Sequence, residues 1–300
     1  MRRREFIKGA IAGGAGLVLS RGLLGAAEQK PTTVNPYEVV PLGKTGIKVS
    51  RVGFGTGMRG RERQSNQTRL GKEKFEALLK AGYDRGIRFF DTADMYGSHP
   101  YIIPALKGIP RENFAISTKI WWMPRGLPET ERPDADVVVS RFLKELQTEY
   151  IDMVLLHCVQ TADWPKQLRK QMDILDSLKQ KGVIRAHGVS CHSLDALKAA
   201  SKESWVDSVH ARINAFGTAM DGPVEQVAPV LKKIHDSGKG IVGMKLIGEG
   251  AFRYSSELRE RSVKYALEAG CVDTMTVGFE SESEIDDFAG CVQKVCRTKT

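Results

Sequence analysis

The chain has 300 residues, 41% of them hydrophobic, with 45 Lys and Arg against 36 Asp and Glu. That length and apolar content suit one large globular domain, since a single α/β barrel takes about 250 residues, and no second domain is required. The formal charge of +9 falls to +5 beyond Ala27, because Arg2, Arg3, Arg4, Lys8 and Arg21 against Glu5 hold +4; with no basic run interleaved with aromatics in the body, the excess does not support a nucleic-acid partner.

Residues 1–27 read as a leader. Arg3-Arg4-Glu5-Phe6-Ile7-Lys8 matches a twin-arginine (Tat) export signal, followed by a weakly apolar, glycine-rich stretch over 9–19 and a small-residue site at Gly25-Ala26-Ala27. A Sec signal or an uncleaved anchor is the alternative, but the apolar stretch is short for a membrane span and Arg21 interrupts it. The expectation is a body of 28–300 exported by the Tat machinery to the periplasm or another extracytoplasmic space, with no stable membrane span after cleavage.

The body alternates strand and helix. An entry hairpin over 37–40 and 48–49 precedes strand 51–56 and helix 72–86, where Phe75, Leu78 and Leu79 share one face. Strand 87–91, a short helix over 100–107, strand 114–118 and helix 134–149 follow. Then come strand 151–156, one long helix over 164–181 stopped by Gly182, strand 184–189, helix 193–201 and strand 206–213. Helix 223–237, strand 240–246, helix 256–269, strand 274–277 and helix 283–295 complete the pattern. Eight such units predict a closed parallel (β/α)8 TIM barrel. The last helix ends almost at the terminus.

Four residues at or just past strand ends make an acid-catalysis set: Asp91, Tyr96, Lys119 and His157. Catalytic groups of a parallel barrel converge on the rim formed by the C-terminal strand ends. A phenol with a pKa of about 10 donates protons sluggishly at neutral pH, and an adjacent ammonium lowers that pKa by favouring the phenolate. Lys119 is expected to supply the ammonium, Asp91 to hold it protonated, His157 to donate to a substrate carbonyl oxygen, and Tyr96 to deliver the proton. A buried Asp91–Lys119 ion pair without catalysis is the bland alternative, which leaves Tyr96 and His157 unexplained.

These motifs resemble those of the aldo-keto reductase superfamily. Asp91-Thr92-Ala93…Tyr96-Gly97, Ser117-Thr118-Lys119-Ile120-Trp121, Leu155-Leu156-His157 and Gly188-Val189-Ser190 match in order and spacing, beginning with Leu42-Gly43-Lys44-Thr45-Gly46 and extending to Phe288. The resemblance implies a carbonyl–alcohol oxidoreductase using NADP(H) or NAD(H), with a small-molecule carbonyl or alcohol, a sugar or other small polar compound, as the expected substrate. Net epimerisation through transient oxidation belongs to the same class. A barrel that holds nucleotide or a partner with little or no turnover is the second class. Export after folding implies a cofactor loaded in the cytoplasm, retained tightly and recycled in place.

The resemblance also places the cofactor across the rim, with departures at several contacts. Ser190-Cys191 replaces a Ser-Asn pair at the carboxamide, His210 replaces a glutamine upstream of a retained Asn214, and Met244 replaces the ring that stacks on nicotinamide. Lys245 either meets the pyrophosphate or pairs with Glu249. Gly278, Glu280 and Ser281 fall at the adenosine end, where the helix amides after Ser281 either bind phosphate or are satisfied by a Ser281–Glu284 capping box. Family habit favours NADP(H), whereas Glu280 would repel a 2′-phosphate and suits NAD(H); the choice stays open at this point.

Trp121 and Trp122 are candidates for the substrate wall, with rim packing as the alternative for Trp122. Cys158, Cys191, Cys271, Cys291 and Cys296 lack the paired short spacing of a metal site, and no metal is expected. Cys158 and Cys191 follow adjacent predicted strands and read as small buried hydrophobes, with a redox pair as the alternative. His99 and His192 lie near rim loops, while His187 and His235 read as structural or exposed.

Overall fold

The computed structural model describes residues 32–297, so the predicted leader lies outside the described residues. Eight parallel strands form the barrel: β1 (Val52–Gly55), β2 (Phe89–Asp91), β3 (Ala115–Ile120), β4 (Ile151–Val159), β5 (Ile184–Cys191), β6 (Ser208–Arg212), β7 (Gly240–Met244) and β8 (Thr274–Gly278). Each pairs with its sequence neighbour, and β8 pairs with β1 to close the ring. This is the (β/α)8 TIM barrel that the strand–helix alternation predicts.

The connecting helices are α1 (Lys72–Arg85), α2 (His99–Ala105), α3 (Ala135–Leu146), α4 (Arg169–Gln180), α5 (Leu194–Lys202), α6 (Val224–Asp236), α7 (Ser256–Glu268) and α8 (Glu282–Gln293). Their bounds follow local chemistry. Ser193, Ser255 and Ser281 each accept a hydrogen bond from a first-turn amide of α5, α7 and α8. Gly86 stops α1 in the left-handed region at φ 116°.

Two features depart from the sequence reading. The single helix expected over 164–181 breaks at Leu168 into Trp164–Gln167 and α4; the break turns Trp164 inward, fully buried, where its indole donates to the Ala196 carbonyl at 3.3 Å. An unanticipated antiparallel pair joins Thr32–Thr33 to Cys296–Arg297. It ties the two ends of the described chain together, with the Val34 amide donating to the Val295 carbonyl.

Strand alternation sorts the core into two layers. Phe89, Ala115, Met153, Leu155, Ala186 and Val242 cluster with Val40, Leu42, Ile47 and Val49 from the entry hairpin (Val39–Pro41 with Lys48–Ser50), which plugs the lower end of the barrel. Their strand neighbours Phe90, Ile116, Val154, Leu156, Val189 and Ile241 belong to the larger core shared with the helices. The inward parity continues upward through Asp91, Ser117, Lys119, His157, Ser190 and His210. Apolar side chains therefore fill the barrel floor, and chemistry-bearing ones fill its mouth.

Gly188 is required by close approach: an added Cβ would lie 1.9 Å from the Ser208 carbonyl oxygen on β6. Gly188→Ala is expected to force β5 and β6 apart and cost about 1–3 kcal/mol, read as a lower urea midpoint with an unchanged slope.

Candidate active site

The rim brings Asp91, Tyr96, Lys119 and His157 together. The Lys119 ammonium, fully buried, donates to Asp91 Oδ1 at 2.7 Å and to the Thr92 carbonyl at 2.9 Å. Tyr96 leaves β2 through a one-turn 3-10 helix, Asp94–Tyr96. Its hydroxyl lies 3.5 Å from His157 Nε2, with the two rings nearly perpendicular. His157 sits in β4 where the register with β5 shifts between Leu156 and Val159, and the next residue, Cys158, has φ 58°. Such a bulge re-aims a side chain at a strand end. The Ser190 hydroxyl accepts from the Cys158 amide and secures the bulge.

Both tryptophans touch His157. The Trp122 indole donates to the His157 carbonyl at 2.7 Å, while the Trp121 ring stands edge-on to the imidazole at 5.3 Å. Trp122 thus braces the histidine backbone, and Trp121 walls its ring.

The electrostatics correct one expectation. Burial, then the Asp91 carboxylate, push the Tyr96 phenol well above its ordinary value rather than below it. Lys119 stacks over the Tyr96 ring at 5.1 Å from the centroid and directs its hydrogen bonds to Asp91 and Thr92, so its charge does not outweigh burial. Burial, with Lys119 next, drives His157 well below the ordinary imidazole range, so it is a neutral ring. Burial also lowers Lys119 and raises Asp91, each against the pull of the other. The site therefore rests with a protonated phenol facing a neutral imidazole.

Tyr96 lies in a slot built by glycines. A Cβ at Gly57 or Gly60 would come within 2.3 Å of its ring, so the loop after β1 clamps it. The run Gly53-x-Gly55-x-Gly57-x-x-Gly60 was the sequence signal for this clamp. The tyrosine turn is tied down by Asp94, which accepts from Arg63 at 3.1 Å and from Arg141 of α3 at 2.7 Å. Arg141 continues to Glu145, which also accepts from His99, and His99 reaches the Thr118 hydroxyl on β3. His99 is thus a strut between α2, α3 and β3. Among the described residues no cluster of three or more His, Cys, Asp or Glu is set to hold a metal.

The expected cofactor contacts divide. Met244, Lys245 and Gly278 line a cleft of about 560 Å³ beside Asp91 and Tyr96. Glycines at 55, 57 and 278 also line it, where a Cβ would press on Thr276, the Tyr96 ring and Gln67. His210 is fully buried 3.6 Å from Asp91, with neither ring nitrogen hydrogen-bonded among the described residues. It is not among the residues that line the cleft. The cleft's own features fit a nicotinamide dinucleotide. Lys245 pairs with Glu249 at 2.7 Å. Cys191 does not join the mouth: its parity turns it into the apolar layer between strands and helices. Cys158 faces His192 at 3.2 Å, and both it and Cys191 are free thiols. Burial pushes Cys158 up to about 12, which makes it a poor nucleophile.

A second chamber shares Met58, Ile247, Val277 and Gly278 with this cleft and extends to Arg253, Arg259, Phe279 and Glu280. The sequence reading missed Arg253, which arrives from the segment between β7 and α7, and Arg259, which arrives from the first turn of α7, rather than from the β8–α8 turn. It also missed Asn66, which donates to Glu280 Oε1 at 2.8 Å.

Residues 51–268 match the model of the aldo/keto reductase family. The chain is 29% identical over 221 residues to probable aldo-keto reductase 1 of Glycine max, covering 71% of this chain and 60% of that protein. It is 24% identical over 222 residues to D-threo-aldose 1-dehydrogenase of a Pseudomonas species, covering 65% and 66%. The chain thus spans less than two thirds of the length of these relatives. The fold is similar to that of a putative aldo-keto reductase from Pseudomonas aeruginosa, with a TM-score of 0.69 and 24% identity over 88% of this chain and 97% of that one.

The strut beneath Tyr96 has an acid signature. Burial works to raise Glu145, but hydrogen bonds from His99 and Arg141 outweigh it and hold the carboxyl at about 2. A carboxyl depressed on folding contributes stability above its unfolded pKa of about 4.3 and loses it as pH falls toward the folded value. Wild type is expected to lose on the order of 1–2 kcal/mol more between pH 6 and pH 3 than Glu145→Gln, measured by urea unfolding at both pH values.

Proposed function

The chain belongs to the aldo/keto reductase family, and from that premise we propose a nicotinamide-dependent oxidoreductase that interconverts a carbonyl and an alcohol. The observation that carries this reading is the meeting of a protonated Tyr96 hydroxyl with a neutral His157 at 3.5 Å, beside the buried Lys119–Asp91 pair. The nicotinamide, when bound, supplies or accepts the hydride. Met244, Lys245 and Gly278 are the residues of this cleft that would hold it.

In the reducing direction, a substrate oxygen takes a hydrogen bond from His157 and the proton from Tyr96. Because Tyr96 is held protonated, it is charged with its proton before substrate arrives. The phenolate left behind is the species that needs a cation, and Lys119 lies over that ring. Asp91 keeps Lys119 in place. In the oxidising direction the same groups receive the proton.

A small polyhydroxylated substrate is supported by two things. Tyr96 and His157 offer polar contacts beside the aromatic face of Trp121, and one relative is a D-threo-aldose 1-dehydrogenase. The Arg3-Arg4 leader supports export through the Tat route with nucleotide aboard, tightly retained and recycled by paired half-reactions.

Tyr96→Phe is expected to lower carbonyl reduction by at least about 100-fold while nucleotide binding, followed by quenching of tryptophan fluorescence, stays unchanged. Retained activity would remove Tyr96 as the proton donor. Mass spectrometry of small molecules released by denaturing the protein, purified without added nucleotide, is expected to find stoichiometric NAD or NADP. An empty protein that also binds neither would favour a barrel without turnover.

A further inference from the structure

The chamber beyond Gly278 has a charge pattern of its own. Arg253 donates to Glu284 through Nε at 2.8 Å and to Glu280 through a terminal nitrogen at 3.2 Å. Arg259 pairs with Asp287 at 2.8 Å and donates to the Phe252 and Arg253 carbonyls. Three carboxylates thus face two guanidiniums: Arg253 is held by Glu280 and Glu284, and Arg259 by Asp287, with Arg259 Nε left without a partner among the described residues. Glu280 and Arg253 are only 21% and 33% exposed, so solvent screens them incompletely.

The N-terminus of α8, which also opens on this chamber, is occupied by the protein's own acids. Glu284 Oε2 accepts from the Glu280 amide at 2.8 Å, and the Ser281 hydroxyl accepts from the Glu284 amide. Ser281 thus caps the third helix amide, while Glu284 turns back to the Glu280 amide just outside the helix and places its carboxylate at this N-terminus. An anion brought here lies beside the Glu280 and Glu284 carboxylates, and it gains Arg253 only by breaking the bonds that Arg253 makes to both.

A dinucleotide with its reactive ring at Tyr96 must run along the shared wall of Met58, Ile247, Val277 and Gly278, which puts its other end in this chamber. Phe279, Phe288 and Val277 offer an apolar seat for a base, and Glu280 is an acceptor suited to a ribose hydroxyl. We propose that Glu280 and Glu284, with Arg253 held between them, select the nicotinamide nucleotide lacking a 2′-phosphate, making the protein NAD(H)-specific. This rests on the oxidoreductase reading above and adds to it the identity of the nucleotide. Asn66, which holds Glu280 Oε1 at 2.8 Å, is a positioning residue for that selection.

Isothermal titration of the nucleotide-free full chain with NADH and, separately, NADPH tests this. NADH is expected to bind at least about tenfold more tightly at low salt, with the ratio shrinking as salt screens the carboxylates. Glu280→Gln, which keeps the shape of the side chain and removes its charge, is expected to narrow the NADH-to-NADPH affinity ratio several-fold, chiefly by strengthening NADPH binding. Equal or tighter NADPH binding by wild type would overturn the proposal and leave the oxidoreductase reading intact. Failure to bind either nucleotide would overturn both.

Discussion

Lys119 is the most demanding side chain in the barrel. Placing a lone ammonium in a dry interior costs several kcal/mol, and Lys119 is tolerated because Asp91 accepts from it at 2.7 Å and the Thr92 carbonyl completes its coordination. The pair requires β2 and β3 in one register, with Asp91 opposite Ser117 and Lys119 two residues further up. That register is locked by Thr92, whose amide and hydroxyl both donate to the Ser117 carbonyl. The exit of β2 is therefore rigid where the turn to Tyr96 begins. A slip by one residue would turn Lys119 toward the helices and send Ile120 into the mouth.

The same alternation explains why the polar mouth does not undermine the fold. Below it, the hairpin residues Val40, Leu42, Ile47 and Val49 close the barrel around Phe89, Met153 and Leu155. This floor buries its apolar surface independently of the rim. The rim can then carry groups chosen for chemistry, because stability comes from the floor and from the outer layer of helices. The clamp on Tyr96 follows this division: it consists of the loop after β1 and the Asp94 ion pairs, outside both apolar clusters.

Strand ends, helix stops and the four rim residues could be read from sequence because each depends on local pattern: period two, period near 3.6, or Gly and Ser at termini. Cys191 was open to the same logic, since an inward Ser190 requires an outward neighbour. The features that escaped depend on distant residues. The break at Leu168 reflects the burial of Trp164 against Ala196, and the Thr32–Thr33 pairing joins opposite ends of the described chain. The partners of Glu280 come from Asn66 and Arg253, 214 and 27 positions away. The direction of the Tyr96 shift was misread for a related reason. Lys119 is near in space, but its donors are spent on Asp91 and Thr92, and only the three-dimensional arrangement shows which oxygens it serves.

A common rule governs the buried titratable groups. Each buried acid has a cation within reach: Asp91 has Lys119, Asp94 has Arg63 and Arg141, Asp152 has Arg111 and Arg185, and Asp221 has Arg212. The fully buried His210 and the nearly buried His157 lack an acidic hydrogen-bond partner, and burial followed by the Lys119 charge keeps both neutral. The arrangement is interdependent. A proton on His210, 3.6 Å from Asp91, would compete with Lys119 for the same oxygen and loosen the ammonium beneath Tyr96. Neutral imidazoles leave that carboxylate committed to the lysine, so the ammonium over the Tyr96 ring stays in place through the titration range of ordinary histidine. The mouth thus presents uncharged donors, and the fixed charges around it hold them still.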